Sequence, residues 1–197
     1  MDEEQPLGVV PLAGRGSLPF ALVHGESLVA AATWALGEAG IEVFDLGTSL
    51  EQVRAAGRAL VVHDPLCPLT PPGFLREAVE ECEATGAVVV GVRAVTDTVK
   101  EYDAPTGANA AGRLGRTHAR DELMTVVSPV VLPAAVVAAL EEPDVADLAA
   151  WVAALSQRYP VRFLPAPALA RRVVAADDLV VLEALSRSAV APEQTDD

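Results

Sequence analysis

The stretch Ala59-Leu60-Val61-Val62-His63-Asp64 decides the fold class. Four consecutive apolar residues leave no polar face, so a strand built from them must be covered on both sides, as in the middle of a parallel sheet. The run then stops on a histidine and an aspartate, where the strand leaves the core. A second run of the same kind, residues 87–92, lies downstream of a helix start at Thr70-Pro71, a capping hydroxyl followed by a proline near the first helical position. That helix carries Leu75, Ala78, Val79 and Cys82 inward and stops at Gly86. Strand, helix, strand in this order is the crossover unit of a parallel sheet.

Outward from this unit the alternation continues in both directions. Upstream, Val9-Val10 begin a short apolar run, and a glycine-rich turn fills residues 12–17. Ser27 caps a helix running to Gly40 with Leu28, Ala31, Ala35, Leu36 and Ala39 on one face, residues 41–46 read as a strand, and residues 49–58 as a short helix. Downstream, Pro133 and Asp144 each begin a helix, the second carrying Leu148, Val152 and Leu155. Residues 161–164 read as a strand, and Asp177 or Asp178 opens a last helix with Leu179, Leu182 and Leu185. Residues 104–115 are rich in Gly, Ala and Asn and read as an exposed loop or hairpin arm, and residues 189–197 as a disordered polar tail. The expectation is one α/β domain over residues 1–188, with a mostly parallel sheet, helices on both faces and a small protruding β-arm at about residues 101–120.

Composition narrows the function. A formal net charge of -14 repels phosphate backbones and argues against a nucleic-acid partner, while leaving room for one small anion in a local basic pocket. No segment reaches the roughly 20 apolar residues that span a bilayer, which argues against a membrane. Met1-Asp2-Glu3-Glu4 is acidic where a signal peptide is basic. Cys67 and Cys82 lack CxxC spacing and read as reduced thiols of a cytoplasmic protein, and His24, His63 and His118 lack zinc-ligand spacing.

In sheets of this type ligands sit beyond the carboxyl ends of the strands. Three places qualify: the turn after Val10, the loop after Val62 and the loop after Leu164. In the first, Ala13-Gly14-Arg15-Gly16-Ser17, glycines admit a phosphate close to backbone N–H groups, and Arg15 and Ser17 add donors. It is also what any tight strand-to-helix turn requires, and no Walker Gly-Lys-Ser/Thr follows. In the second, Asp64 suits either a magnesium ion bridging phosphates or the capping of a turn ahead of prolines. Residues 95–100, Val-Thr-Asp-Thr-Val-Lys, alternate like a strand with Thr96, Thr98 and Lys100 on one face. Arg171-Arg172, in the third, suits a phosphate or a pairing with Asp177 or Asp178.

In this order the pieces resemble the 2-C-methyl-D-erythritol 4-phosphate cytidylyltransferase family. Leu12-Ala13-Gly14-Arg15-Gly16-Ser17 and Pro19-Phe20-Ala21-Leu22-Val23 are similar to its glycine-rich signature and the Pro-Lys segment after it. Val61-Val62-His63-Asp64 stands where the family has Val-His-Asp-Ala-Ala-Arg-Pro. Residues 95–100, Gly112-Arg113, Arg120-Asp121-Glu122-Leu123, Ser128-Pro129 and the helix from Asp177 follow in register. The resemblance implies a Rossmann-like nucleotidyltransferase fold and a homodimer joined through the arm near residues 104–116. It implies CTP or another nucleotide and a small phosphorylated substrate as ligands, with magnesium, and pyrophosphate as product. By the same resemblance residues 13–17 hold the nucleotide, Arg15 and Arg172 are the catalytic cations, Asp64 holds the metal, and Thr98 and Arg120 grip the substrate phosphate.

The departures from the pattern are as specific as the matches. The glycine turn is short, Phe20 replaces the lysine after Pro19, and Arg172 stands at or near the second lysine. Residues 165–172 contain no carboxylate, Leu66 or Cys67 replaces an arginine, and the segment between Leu46 and Ala59 is too short for the cytosine-reading residues. One lost donor at a site of developing charge costs about 10²–10³ in rate. The expectation is a degenerate member with weak or lost cytidylyl transfer, or a non-catalytic homodimeric scaffold or regulatory ligand-binding protein on the same fold.

Overall fold

A computed structural model describes residues 5–44, 49–105, 111–141 and 145–190. The Asp144 helix start, the strand end at Leu46, the tip of the arm and most of the polar tail lie outside the described residues. The described elements are β1 (Leu7–Val9), β2 (Leu22–Val23), β3 (Glu26–Ser27), α1 (Leu28–Glu38), β4 (Glu42–Val43), α2 (Leu50–Ala55), β5 (Leu60–Val62), α3 (Pro72–Thr85) and β6 (Val88–Ala94). They continue with β7 (Val99–Asp103), β8 (Arg113–His118), β9 (Met124–Leu132), α4 (Ala134–Ala138), α5 (Leu148–Ser156), β10 (Val161–Pro165) and α6 (Asp177–Val190).

Six strands form one sheet in the order β10-β6-β9-β5-β1-β4, and only β9 runs antiparallel to its neighbours. Period-two alternation along the central strands sorts the core into two layers. Val61, Val89 and Val131 face Ala32, Ala35 and Leu36 of α1 and Leu75, Ala78 and Cys82 of α3. Val62, Val88, Val90, Val130 and Leu132 face the other way, toward Val53 of α2, Val136 and Val137 of α4, and Trp151 and Leu155 of α5. β7 and β8 form a separate two-stranded antiparallel sheet, and β2 and β3 another.

Local chemistry accounts for most boundaries. Ser27 caps α1 by accepting from the Ala30 N–H, and Ser49 and Gln52 form a reciprocal capping box on α2. Two expectations are corrected and one element is unforeseen. Thr70 does not cap α3: its hydroxyl donates to the Cys67 carbonyl, and the N-cap is Pro71. Residues 95–98 are not strand, because β6 ends at Ala94 and pairing resumes only at Val99. β9, one of the longest elements, escapes a sequence reading because Ser128-Pro129 lies in its middle, where proline normally argues against a central strand.

The proline is accommodated beside a bulge. β6 and β9 shift register between Val90 and Val92, and at Gly91 a Cβ would lie 2.7 Å from the Ser128 carbonyl oxygen and 3.0 Å from its carbon. Both are backbone atoms of a buried strand and cannot swing aside. Gly91→Ala is therefore expected to lower stability by about 1–3 kcal/mol. A urea midpoint unchanged from the parent chain would contradict this.

Candidate functional site

The three strand ends singled out from the sequence meet at one carboxylate. Asp64 leaves β5 with its side chain fully buried. Its Oδ1 accepts from Arg15 Nε at 2.7 Å and from the Leu66 N–H at 3.0 Å, and its Oδ2 accepts from Arg172 Nε at 3.0 Å. Arg15 comes from the turn after β1, and Arg172 from the segment after β10. Burial alone would raise the Asp64 carboxyl, but the bond and charge of Arg15, the Leu66 N–H and Arg172 outweigh it and hold the group below its ordinary value.

Arg15 lies beneath the turn rather than over it. Its Nη1 donates to the Ala13 carbonyl and its Nη2 to the Val145 carbonyl at 2.9 Å, so all three guanidinium nitrogens are engaged and the side chain is 1% exposed. The same Val145-Ala146 segment covers Gly14, whose φ is 76°: a Cβ there would meet the Ala146 Cβ at 2.6 Å. Gly16 and Ser17 are exposed, and Phe20, in the lysine position of the resembled family, is 60% exposed.

Behind Asp64, Ser128 of β9 supports the strand end. Its hydroxyl oxygen accepts from the Asp64 N–H at 3.0 Å and bonds His63 Nδ1. The other ring nitrogen, Nε2, is a buried atom without a partner among the described residues. Burial lowers the His63 pKa to about 4, against some opposition from Asp64, so the ring is neutral at pH 7. Cys67 is buried too, and burial together with the Asp64 charge pushes its thiol up to about 12, which removes it as a nucleophile.

A cavity of about 810 Å³ opens between the carboxyl end of β6, the start of β9, the start of α5 and residues 171–174. Its polar lining includes Arg93, Thr96, Thr125, Asp147, Arg171 and Arg172. Arg171 pairs with Asp178 at 3.6 Å, and Arg93 donates to the Pro167 carbonyl at 2.7 Å. Arg172, with its side chain 31% exposed, joins this cavity to the Asp64 cluster. Thr98 and Arg120 do not line it. Arg120 lies at the base of the β7–β8 arm, where its Nη1 donates to the Thr96 carbonyl at 3.1 Å.

No family model matches the chain. The 2-C-methyl-D-erythritol 4-phosphate cytidylyltransferase of Frankia casuarinae is 37% identical over 162 residues, covering 74% of this chain and 57% of that protein. The protein of the same name from Saccharopolyspora erythraea is 32% identical over 142 residues, covering 68% of this chain and 58% of that one. Over about three quarters of its length the chain is similar in sequence to this cytidylyltransferase family. It spans little more than half the length of these two relatives. Its fold is the family's Rossmann-like nucleotidyltransferase fold. The cytidylyltransferase of Thermus thermophilus superposes with a TM-score of 0.62 at 24% identity, covering 93% of this chain and 98% of that one. A 4-diphosphocytidyl-2C-methyl-D-erythritol synthase superposes with 0.63 at 15% identity, covering 92% and 98%.

The magnesium that the resemblance implies does not fit the residues that would hold it. Both Asp64 oxygens are already taken by guanidinium groups, and the carboxylate has no exposed surface. A hard divalent ion wants about six oxygen ligands. Among the described residues, no group of three or more His, Cys, Asp or Glu side chains converges.

Proposed function

We propose that this chain is a cytidylyltransferase-family protein in which cytidylyl transfer from CTP to methylerythritol phosphate is weak or lost. The observation that carries the reading is Arg15. The one cation of the glycine turn spends its three nitrogens on Asp64, Ala13 and Val145, inside the protein. Phosphoryl transfer depends on positive charge presented to the reacting oxygens. Phe20 presents none, and at Gly14 the side where a Cβ would stand is taken up by Ala146.

What the chain offers is the cavity between the end of β6, the start of β9 and residues 171–174, with Arg172 at its edge, suited to a small phosphorylated ligand or a nucleotide. A non-catalytic homodimer is the second reading. It is favoured by the β7–β8 arm, where Tyr102 and Leu114 stand exposed, and light scattering reports the assembly directly.

Titration calorimetry with CTP, ATP, GTP and UTP, each with and without magnesium, paired with a pyrophosphate-release assay on methylerythritol phosphate, tests the proposal. The expected result is pyrophosphate release at or near background. Robust, magnesium-dependent release from CTP would refute it.

A further inference from the structure

A divalent cation and a pair of guanidinium groups answer the same electrostatic need at a buried carboxylate, since a charge removed from water must be paired. Here the pairing is covalently tethered. Arg15 is pinned through its two terminal nitrogens to backbone carbonyls. Arg172 is held by its own neighbourhood as well: the Val173 N–H donates to the Leu66 carbonyl at 2.7 Å, two residues beyond Asp64. Two guanidinium groups around one carboxylate leave the cluster net positive, so it repels a second cation rather than recruiting one. Arginine does not deprotonate at any ordinary pH, so raising the pH does not free the oxygens.

We propose that Asp64 is the anchor of a permanent, metal-free clasp, and that this carboxylate takes no divalent cation. The clasp fastens together the turn after β1, the end of β5 and the segment after β10. Arg172 is thereby fixed at the edge of the cavity as a positioned charge, with Asp64 as its positioning residue.

The test uses Mn2+ alone as the probe, followed by electron paramagnetic resonance on the full chain, with Asp64→Asn as the control. The expected result is no saturable Mn2+ binding that depends on Asp64. Binding that persists unchanged in Asp64→Asn lies elsewhere and supports the assignment. Saturable binding to the parent chain that Asp64→Asn abolishes would overturn it. Amide hydrogen exchange supplies the second readout, on Arg172→Gln, a partly exposed position that tolerates the change. If the clasp joins the two segments, exchange rises by up to about fivefold both at residues 171–174 and at the distant residues 13–17. A rise confined to residues 171–174 would show that no clasp exists. Neither readout involves turnover, so the outcome is separate from that of the pyrophosphate assay.

Discussion

Asp64→Ala is expected to destabilise the protein by about 3–5 kcal/mol, the range for removing one partner of a buried ion pair. The loss exceeds that of the contacts themselves, because Arg15 stays behind with a side chain 1% exposed and only carbonyl oxygens for partners. Arg172 is in a different position. Its side chain is 31% exposed, water can take over its hydrogen bonds, and Arg172→Gln should cost about 1 kcal/mol or less. Urea unfolding of the two variants measures the contrast. Equal losses, or a loss below about 1 kcal/mol for Asp64→Ala, would mean that the cluster is not the buried, mutually dependent unit described above.

Mild acid should weaken the fold through His63, well before the carboxylates respond. Its pKa is about 4 in the folded chain, against 6.5 for the free side chain. Between those values the unfolded chain binds a proton that the folded chain refuses. Stability from this residue is therefore complete above pH 6.5 and falls as the pH drops toward 4, by about 3 kcal/mol in all. Asp64 acts in a lower window. Its folded pKa is depressed below 3.8, so its contribution is present above that pH and is lost only as the pH falls through the folded value. Urea midpoints at pH 7, 5.5 and 4.5 separate the two. In His63→Leu the slope across pH 6.5 to 4 should flatten, whatever the variant's absolute stability. A slope identical to that of the parent chain would assign the acid sensitivity elsewhere.

Much of the sheet is legible in the sequence because β5 and β6 are valine-rich apolar runs that a doubly covered position explains, and the three strand ends flagged as ligand-facing do meet. Partnership is not legible. Arg15 and Arg172 read as cations for an incoming phosphate, since residue type shows charge but not direction. Asp64 lies 49 residues from one and 108 from the other, separations over which no periodicity carries information. The segment over the glycine turn is farther still, with Val145 130 residues from Arg15. β9 is hidden for a local reason: Ser128-Pro129 breaks the β pattern, and the bulge at Gly91 that accommodates it belongs to another strand. His63 reads only as a strand end, because its dependence on Ser128 needs the antiparallel pairing to be known first.

The clasp also sets an order of events during synthesis. Arg15 and Asp64 leave the ribosome early, whereas Arg172 follows Asp64 by 108 residues. At about 5–20 residues per second, the nascent chain spends seconds with one Asp64 oxygen awaiting its guanidinium. Until then water serves that oxygen, so the end of β5 is among the last parts of the sheet to be desolvated. In a ribosome-bound chain stalled just short of residue 172, the end of β5 is therefore expected to exchange its amides faster than in the released chain.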